Sequence, residues 1–125
     1  MRIPYEYAMI RAVPRIERGE QINVGMILYC QQGDFLAAHT ELDGDRLRVL
    51  DPDVDVDAVG AALRAWETTC AGGAAGGAAR VMTRGERFRW LTAPRSTILQ
   101  AGPVHTGLTE DPAGELDRLV DLLVR

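Results

Sequence analysis

In two segments near the start of the chain, successive side chains follow a period of two, as they do when they point to opposite faces of a β-sheet. This pattern predicts neighbouring β-strands. The first, PYEYAMIRAVP at residues 4–14, is apolar on much of both faces and is therefore typical of a central strand. The second spans residues 22–30, and alternation predicts one face with Ile22, Val24, Met26 and Leu28 and another with Ile27 and Tyr29. Gly25 interrupts this strand, and a glycine there often marks a β-bulge or a close approach of another backbone.

The polar segments between the apolar runs predict how the strands are connected. Residues 14–21 form a loop of about eight residues, which is long for a tight hairpin. QQGD at 31–34 is a turn signal before a third strand, Phe35 to Thr40, and LDGD at 42–45 is another before a short strand, Arg46 to Leu50. Four strands joined by short turns predict an antiparallel meander.

Helical periodicity appears twice further along the chain. Asp55 is a good N-cap for a helix running to about Cys70, and apolar residues follow it at helical spacing: Val56, Val59, Leu63 and Trp66. Asp111 with Pro112 is a second helix start, and the following residues form an apolar stripe: Leu116, Leu119, Val120 and Leu123. Residues 71–79, AGGAAGGAA, contain only Gly and Ala and predict a flexible loop.

These elements predict a single α+β domain over residues 1–125. We expect two layers, in which a mostly antiparallel sheet of about four to five strands packs against two helices. The 125 residues, 46% of them hydrophobic, are enough for one core and too few for two ordinary domains. No apolar run approaches the ~20 residues needed to cross a bilayer, and charges at Glu6, Arg11 and Arg15 interrupt any secretion signal. We therefore expect a cytoplasmic protein.

The cysteines and histidines argue against a metal site. Cys30 and Cys70 lie in predicted apolar elements without C-x-x-C spacing, so we expect two buried, reduced thiols. With His39 and His105 they still lack the short paired spacing that is typical of zinc ligands. The sequence therefore predicts neither a metal nor a cofactor.

The first candidate site is the charged loop between the first two strands. Arg15, Glu17, Arg18 and Glu20 alternate in sign, and Asn23 follows at the start of an apolar strand. Such charges usually pair with each other in solvent and contribute little. A buried amide needs hydrogen-bond partners, so Asn23 is predicted either to fix the loop backbone or to face a ligand. A solvated loop and a binding edge both remain open here.

The second candidate is the arginine-rich segment RGERFRWLTAPR, residues 84–95. Arg87, Arg89 and Arg95 are interleaved with Phe88 and Trp90, a combination that suits phosphates and stacked bases. The same pattern also describes a strand with its aromatic rings inside and its arginines outside. Seven acidic residues at 41–57 offer intramolecular compensation, and the formal net charge of −4 argues against nonspecific duplex binding.

The third candidate is His105, in the glycine-bounded turn GPVHTG at residues 102–107. An imidazole there has the pKa range of a general base near neutral pH. The only serine, Ser96, lies outside any G-x-S-x-G elbow, so the sequence predicts a structural or ligand-contacting histidine rather than a catalytic one. No residue is assigned a catalytic role.

Four segments together resemble the bacterial family called domain of unknown function 3037: PRIERGEQINVGMILYC, LDPDVDVDAV, RFRWLTAPRSTILQ and PVHTG. The resemblance runs from Tyr5 to the C-terminal helix, and ERGEQINVGMIL is its most specific part. It implies no assigned activity and no catalytic residues. Members of that family are often encoded beside HipA-like serine/threonine kinases, so the resemblance implies a small accessory or regulatory partner of such a kinase.

Two functional hypotheses follow. The first is a non-catalytic interaction module that docks a partner protein through the charged loop or a sheet edge. The second is a binder of a phosphate-bearing ligand, nucleotide or nucleic acid, or an enzyme, that uses Arg87, Arg89, Arg95 and His105. A binder that depends on arginine–phosphate contacts is expected to weaken steeply with added salt, unlike a docking interface with an apolar centre.

Overall fold

The computed structural model describes residues 1–72 and 82–125, which form one antiparallel sheet and four helices. The strands are β1 (Ile3–Ala12), β2 (Ile22–Cys30), β3 (Phe35–Thr40), β4 (Leu99–Ala101) and β5 (His105–Thr109). The helices are α1 (Gly44–Leu50), α2 (Val56–Ala71), α3 (Arg84–Thr92) and α4 (Pro112–Leu123). Of the predicted Gly/Ala loop at 71–79, Ala71 ends α2, Gly72 follows it, and residues 73–79 lie outside the described residues.

The long strand β1 organises the sheet, as its apolar faces predict. β2 pairs with it on one side and β3 pairs with β2 beyond, both antiparallel. On its other side two short strands divide the length of β1, since β5 pairs with residues 3–7 and β4 with residues 10–12. The predicted α+β class with a mostly antiparallel sheet is therefore confirmed.

Gly25 lies at a β-bulge, one of the two roles predicted for it. The register of β1 and β2 shifts between the pairs Ile10–Gly25 and Arg11–Asn23. A Cβ at position 25 would lie 2.8 Å from the carbonyl oxygen of His39 in β3, so the close backbone approach requires glycine. The extra residue, Val24, reverses the alternation of side chains along β2.

That reversal corrects the predicted faces of β2. Ile22 and Val24 lie on the same face of the sheet as Ile27 and Tyr29, whereas Met26 and Leu28 lie on the other. The strict alternation assumed from the sequence was wrong for the residues before Gly25, because a bulge adds a residue without a partner.

The short strand predicted at Arg46 to Leu50 was also wrong, because residues 44–50 form helix α1. The side chain of Asp43 accepts hydrogen bonds from the backbone N–H groups of Asp45 and Arg46, at 3.1 and 3.2 Å. LDGD is therefore a helix start rather than a hairpin turn, and Leu47 is the residue that the helix buries.

The two predicted helices are confirmed, but they lie on opposite faces of the sheet, so the elements form three layers and not the two that the sequence predicted. Asp55 caps α2 by accepting from Ala58 N–H, and Asp111 caps α4 by accepting from Gly114 N–H. The face carrying α1, α2 and α3 holds one hydrophobic cluster, which includes Ile10, Ile27, Leu63 and Phe88. The other face holds a second cluster with α4, which includes Tyr5, Met26, Leu28 and Val120.

Candidate functional site

The charged side chains of the loop before β2 pair locally. Arg15 Nε lies 2.8 Å from Glu17 Oε1, and Arg18 Nε lies 2.5 Å from Glu20 Oε1. A backbone hydrogen bond, together with Arg15, lowers the pKa of Glu17. All four side chains are at least 45% exposed, and exposed pairs of this kind contribute little to stability.

Asn23 connects the sheet to α4 rather than to this loop. Its side-chain Nδ2 donates to the backbone carbonyl of Leu123 at 3.2 Å. The last carbonyls of a helix have no intrahelical partner, so the amide satisfies one of them. The need for a hydrogen-bond partner was predicted from the sequence, but the partner lies 100 residues away along the chain.

The arginine-rich segment forms helix α3 and not a strand. Thr83 caps it in a capping box with Glu86, in which each residue's side chain accepts from the backbone N–H of the other. Phe88 is fully buried, whereas Trp90 is 47% exposed, so the two aromatic rings do not share one inner face. The T-x-x-E signature at 83–86 was the sequence signal for this helix.

Two of the predicted arginines are engaged within the protein. Arg87, only 9% exposed, donates to the backbone carbonyls of Met82 and Cys70 at 2.6 and 3.4 Å and so connects the ends of α2 and α3. Arg89 donates to both carboxylate oxygens of Glu6 at 2.8 and 2.7 Å. The compensating carboxylate for Arg89 thus comes from β1 and not from the acidic stretch at 41–57.

His105 is the first residue of β5 and lies away from these arginines. Its ring centroid is 5.4 Å from that of Tyr7, its partner across the strands, on the face of the sheet that carries α4. Thr106 points to the opposite face, where it lines a cavity with Arg89. The structure therefore does not bring His105 together with Arg87 and Arg89 in one site.

The thiols are buried and free, as predicted. Burial raises the pKa of Cys70 to about 12, so its thiolate is scarce at neutral pH. The Cys30 thiol donates to the carbonyl of Pro4 at 3.4 Å. Within residues 1–72 and 82–125, no three His, Cys, Asp or Glu side chains are grouped as a metal site would require.

An apolar groove of about 530 Å³ runs along one side of α2, and we call it the α2 groove. One wall is a single face of that helix, formed by Asp55, Ala58, Val59, Ala62 and Trp66. The opposite wall is the segment before and into β4, formed by Arg95, Thr97, Ile98 and Leu99, with Ile16 and Val54 completing the lining. Ile16 and Ile98 are 46% and 41% exposed, so the rim of the groove presents apolar side chains to solvent.

The α2 groove has two charged groups in its lining, Asp55 and Arg95. Asp55 accepts from Ala58 N–H at 3.0 Å, and its charge is stabilised by the positive end of α2. Arg95 lies with its guanidinium carbon 6.0 Å from the ring centroid of Trp66 and 5.7 Å from that of Trp90, and it donates to the carbonyl of Trp90. Of the predicted arginines, Arg95 lines the α2 groove, whereas Arg89 lines the smaller cavity with Thr106.

The predicted charged loop contributes to this groove through its apolar residue. Ile16 lies between Arg15 and Glu17 and lines the groove, whereas the charged side chains of the loop do not. Neither Ile16 nor Ile98 was predicted from the sequence, because the groove joins three segments that are distant along the chain. An isoleucine within the charged run RIERGE was the available signal.

The PVHTG motif has a structural explanation on the other face. The Tyr5 hydroxyl donates to the carboxylate of Glu115, which also accepts from Arg118 at 2.7 and 2.9 Å. The Arg118 hydrogen bond, aided by Tyr5, lowers the pKa of Glu115 to about 2. Burial, followed by the bond to Glu115, raises the pKa of Tyr5 to about 12. Gly107 allows the Tyr5 ring to lie against β5.

These features define a small α+β domain with an apolar groove, in which motif residues such as Asn23, Gly25 and Gly107 hold the fold together. The chain belongs to the family described as protein of unknown function (DUF3037), whose model matches residues 7–124. The resemblance drawn from the sequence is therefore confirmed. Comparisons with curated proteins and with solved structures found no match. Among the described residues, no helix is both long and apolar enough to span a membrane.

Proposed function

We propose that this protein is a non-catalytic accessory module that binds a partner protein through the α2 groove. The observation that carries the proposal is the apolar character of this groove together with the exposed Ile16 and Ile98 on its rim. Exposed apolar side chains around a concave apolar surface are typical of sites that bury them in a complex.

Three of the four predicted anion-binding residues do not form a common free site, and the fourth, Arg95, lies in the α2 groove itself, which supports the same proposal. Arg87 and Arg89 already donate to acceptors within the protein, and His105 lies on another face. A phosphate would have to displace the Glu6 carboxylate from Arg89 to bind there. A nucleotide or nucleic-acid site at these residues therefore has less support than the groove.

The proposed partner is a HipA-like kinase, which is the context that the family resemblance implies. A stable interface buries about 800 Å² on each side, which is more than the groove alone provides. The groove would therefore hold the central apolar anchor, and the surrounding surface would form the polar rim of the interface.

Co-elution of this protein with a HipA-like kinase encoded beside its gene tests the proposal. Ile98→Asp places a charge on the groove wall and is expected to weaken binding at least tenfold. Leu108→Asp is the matched control, because Leu108 is 53% exposed on β5 and does not line the groove. Failure of the wild-type protein to bind the kinase, or equal binding by both variants, would overturn the proposal.

A further inference from the structure

Arg95 is the arginine in the lining of the α2 groove, and it has no carboxylate partner among the described residues. Arg89 and Arg125 lie 2.7 and 2.6 Å from Glu6 and Glu41, respectively. No carboxylate oxygen of the described residues lies within 4.0 Å of the Arg95 nitrogens. Its one hydrogen bond to a protein group in these ranges is to the Trp90 carbonyl, which leaves other N–H donors of the guanidinium available.

The Trp66 and Trp90 rings hold this guanidinium in place. Both ring centroids lie within 6.0 Å of the guanidinium carbon, in the range of cation–π attraction. A planar guanidinium held in this way loses less side-chain entropy when it forms a bidentate bond to a carboxylate. A partner that covers the apolar side chains beside Arg95 would exclude water and strengthen such a bond.

The two charged groups of the groove lie at different positions along α2. Asp55 caps the first turn and Arg95 lies over Trp66, eleven residues further on, which corresponds to roughly 16 Å of helix. The Asp55 charge is compensated by the N-terminus of α2. Arg95 donates to the Trp90 carbonyl in the last turn of α3, and its other N–H donors at the Trp66 end of the groove remain available to a carboxylate of a partner.

We infer that the α2 groove recognises a segment of the partner protein that places large apolar side chains between α2 and Ile98 and a carboxylate on Arg95. This inference rests on the proposed function and specifies what the groove selects. A span of roughly 16 Å accommodates about three helical turns or about five extended residues. The recognised segment is therefore short, apolar and acidic at one end.

Peptide display tests this inference with random sequences, so that no partner sequence has to be assumed. A library of 12-residue peptides is selected on the wild-type protein and counter-selected on Ala62→Phe, which fills the groove. The enriched peptides are expected to contain at least two large apolar residues and one Asp or Glu. Selection on Arg95→Glu is expected to replace the acid with Arg or Lys.

Arg64→Glu is the matched control, because Arg64 is exposed on α2, does not line the groove and gives the same change in charge. It is expected to leave the acidic preference unchanged. As a second measurement, replacing the peptide's acid by its amide is expected to weaken binding about tenfold to wild type. The same replacement is expected not to change the affinity of the peptide for Arg95→Gln. This milder variant tests the pairing of Arg95 with the peptide's acid even if Arg95→Glu is unstable.

The possible results separate this inference from the proposed function. Apolar peptides without an acidic residue, selected equally by wild type and Arg95→Gln, would overturn the inference and leave the groove as a protein-binding surface. A fatty acid, dodecanoate, tests for a small amphiphile in place of a peptide. If every selected peptide binds Ala62→Phe as well as wild type, but dodecanoate binds wild type and not Ala62→Phe, the groove binds a small amphiphile and the inference is wrong. If the kinase binds wild type and Ile98→Asp equally well, the protein binds the kinase at a surface other than the α2 groove, and the proposed function is wrong in that respect.

Discussion

Gly107 lies directly against the ring of Tyr5, so that a Cβ at position 107 would come within 2.6 Å of both the ring Cζ and the hydroxyl oxygen. Tyr5 is 5% exposed, and its hydroxyl is held by Glu115. The ring therefore cannot move aside without breaking a hydrogen bond and disturbing the hydrophobic cluster beneath α4. This contact explains the glycine of the PVHTG segment as a packing requirement.

Gly107→Ala is expected to destabilise the protein by about 1–3 kcal/mol, because the added methyl group forces the Tyr5 ring out of place. Urea unfolding monitored by circular dichroism measures this change. Gly60→Ala is the control, because Gly60 is in α2 and its nearest neighbouring atom would be 3.4 Å away. The control is expected to be neutral or stabilising by up to about 1 kcal/mol. Equal stabilities of the two variants would contradict the Tyr5 contact.

The Glu115 carboxylate predicts a loss of stability in acid. Its pKa is lowered from 4.5 to about 2 in the folded protein, chiefly by Arg118 and also by Tyr5. The folded state therefore binds this proton less tightly than the unfolded state, and the stabilisation present above pH 4.5 is lost as the pH falls towards 2. Hydrogen bonds to a charged group suggest a contribution of about 1.5–3 kcal/mol.

The comparison of wild type with Glu115→Gln between pH 7 and pH 3 measures this contribution. The wild type is expected to be more stable at pH 7, and the difference is expected to shrink as the pH falls through 4.5. Glu110→Gln is the control, since Glu110 is exposed and lies 3.7 Å from the N-terminal amine. A difference for Glu115→Gln that stays constant over this pH range would exclude the carboxylate as its source.

The raised pKa of Tyr5 predicts a second loss of folding stability, at alkaline pH. The folded pKa is about 12 against an ordinary value of 10.0, so the folded state holds the phenolic proton more tightly than the unfolded chain. The associated stabilisation is complete below pH 10 and is lost as the pH rises towards 12. Tyr5→Phe is expected to remove this step from the pH dependence of unfolding. Retention of the step in Tyr5→Phe would assign it to another group.

Asn23→Ala is expected to destabilise the protein by about 1 kcal/mol and to loosen the end of α4, because the Leu123 carbonyl loses its side-chain partner. Hydrogen exchange of the amides at 120–125 reports the local effect. Gln21→Ala, an exposed neighbour, is the control and is expected to change neither quantity. Protection of these amides that is unchanged in Asn23→Ala would show that the hydrogen bond does not hold α4.

The thiols are expected to be unreactive in the folded protein. Cys30 and Cys70 are buried, and the pKa of Cys70 is about 12. An aromatic disulfide reagent at pH 8 is expected to titrate no fast-reacting thiol in the native state and two thiols after unfolding. Rapid reaction of the native protein would contradict the burial of these residues.

Features that depend on neighbouring residues could be predicted from the sequence. Asp55 and Asp111 marked helix starts because an N-cap acts on backbone groups two or three residues away. The strand Phe35 to Thr40 and the special role of Gly25 followed from turn residues and period-two alternation. The family resemblance followed from four segments whose glycines and polar residues occupy turns, a bulge and helix caps.

Features that depend on distant contacts could not be predicted in the same way. Helices α1 and α3 have 7 and 9 residues, lengths at which alternating apolar residues fit a strand as well as a helix. The partners of Asn23 and Arg89 lie at the far ends of the chain, at Leu123 and Glu6. The groove needed the tertiary fold, because Ile16, Ala62 and Ile98 share no period in the sequence.

The most direct test of a function at the α2 groove is to find which amides respond when the partner binds. ¹H–¹⁵N spectra of the labelled protein are recorded with and without an unlabelled HipA-like kinase. The largest changes are expected at residues 58–66 and 95–99, and Ala62→Phe is expected to abolish them while Ala61→Phe, outside the groove lining, preserves them. Changes confined to α4 and the face beneath it, with Ala62→Phe still binding, would contradict a function at the α2 groove.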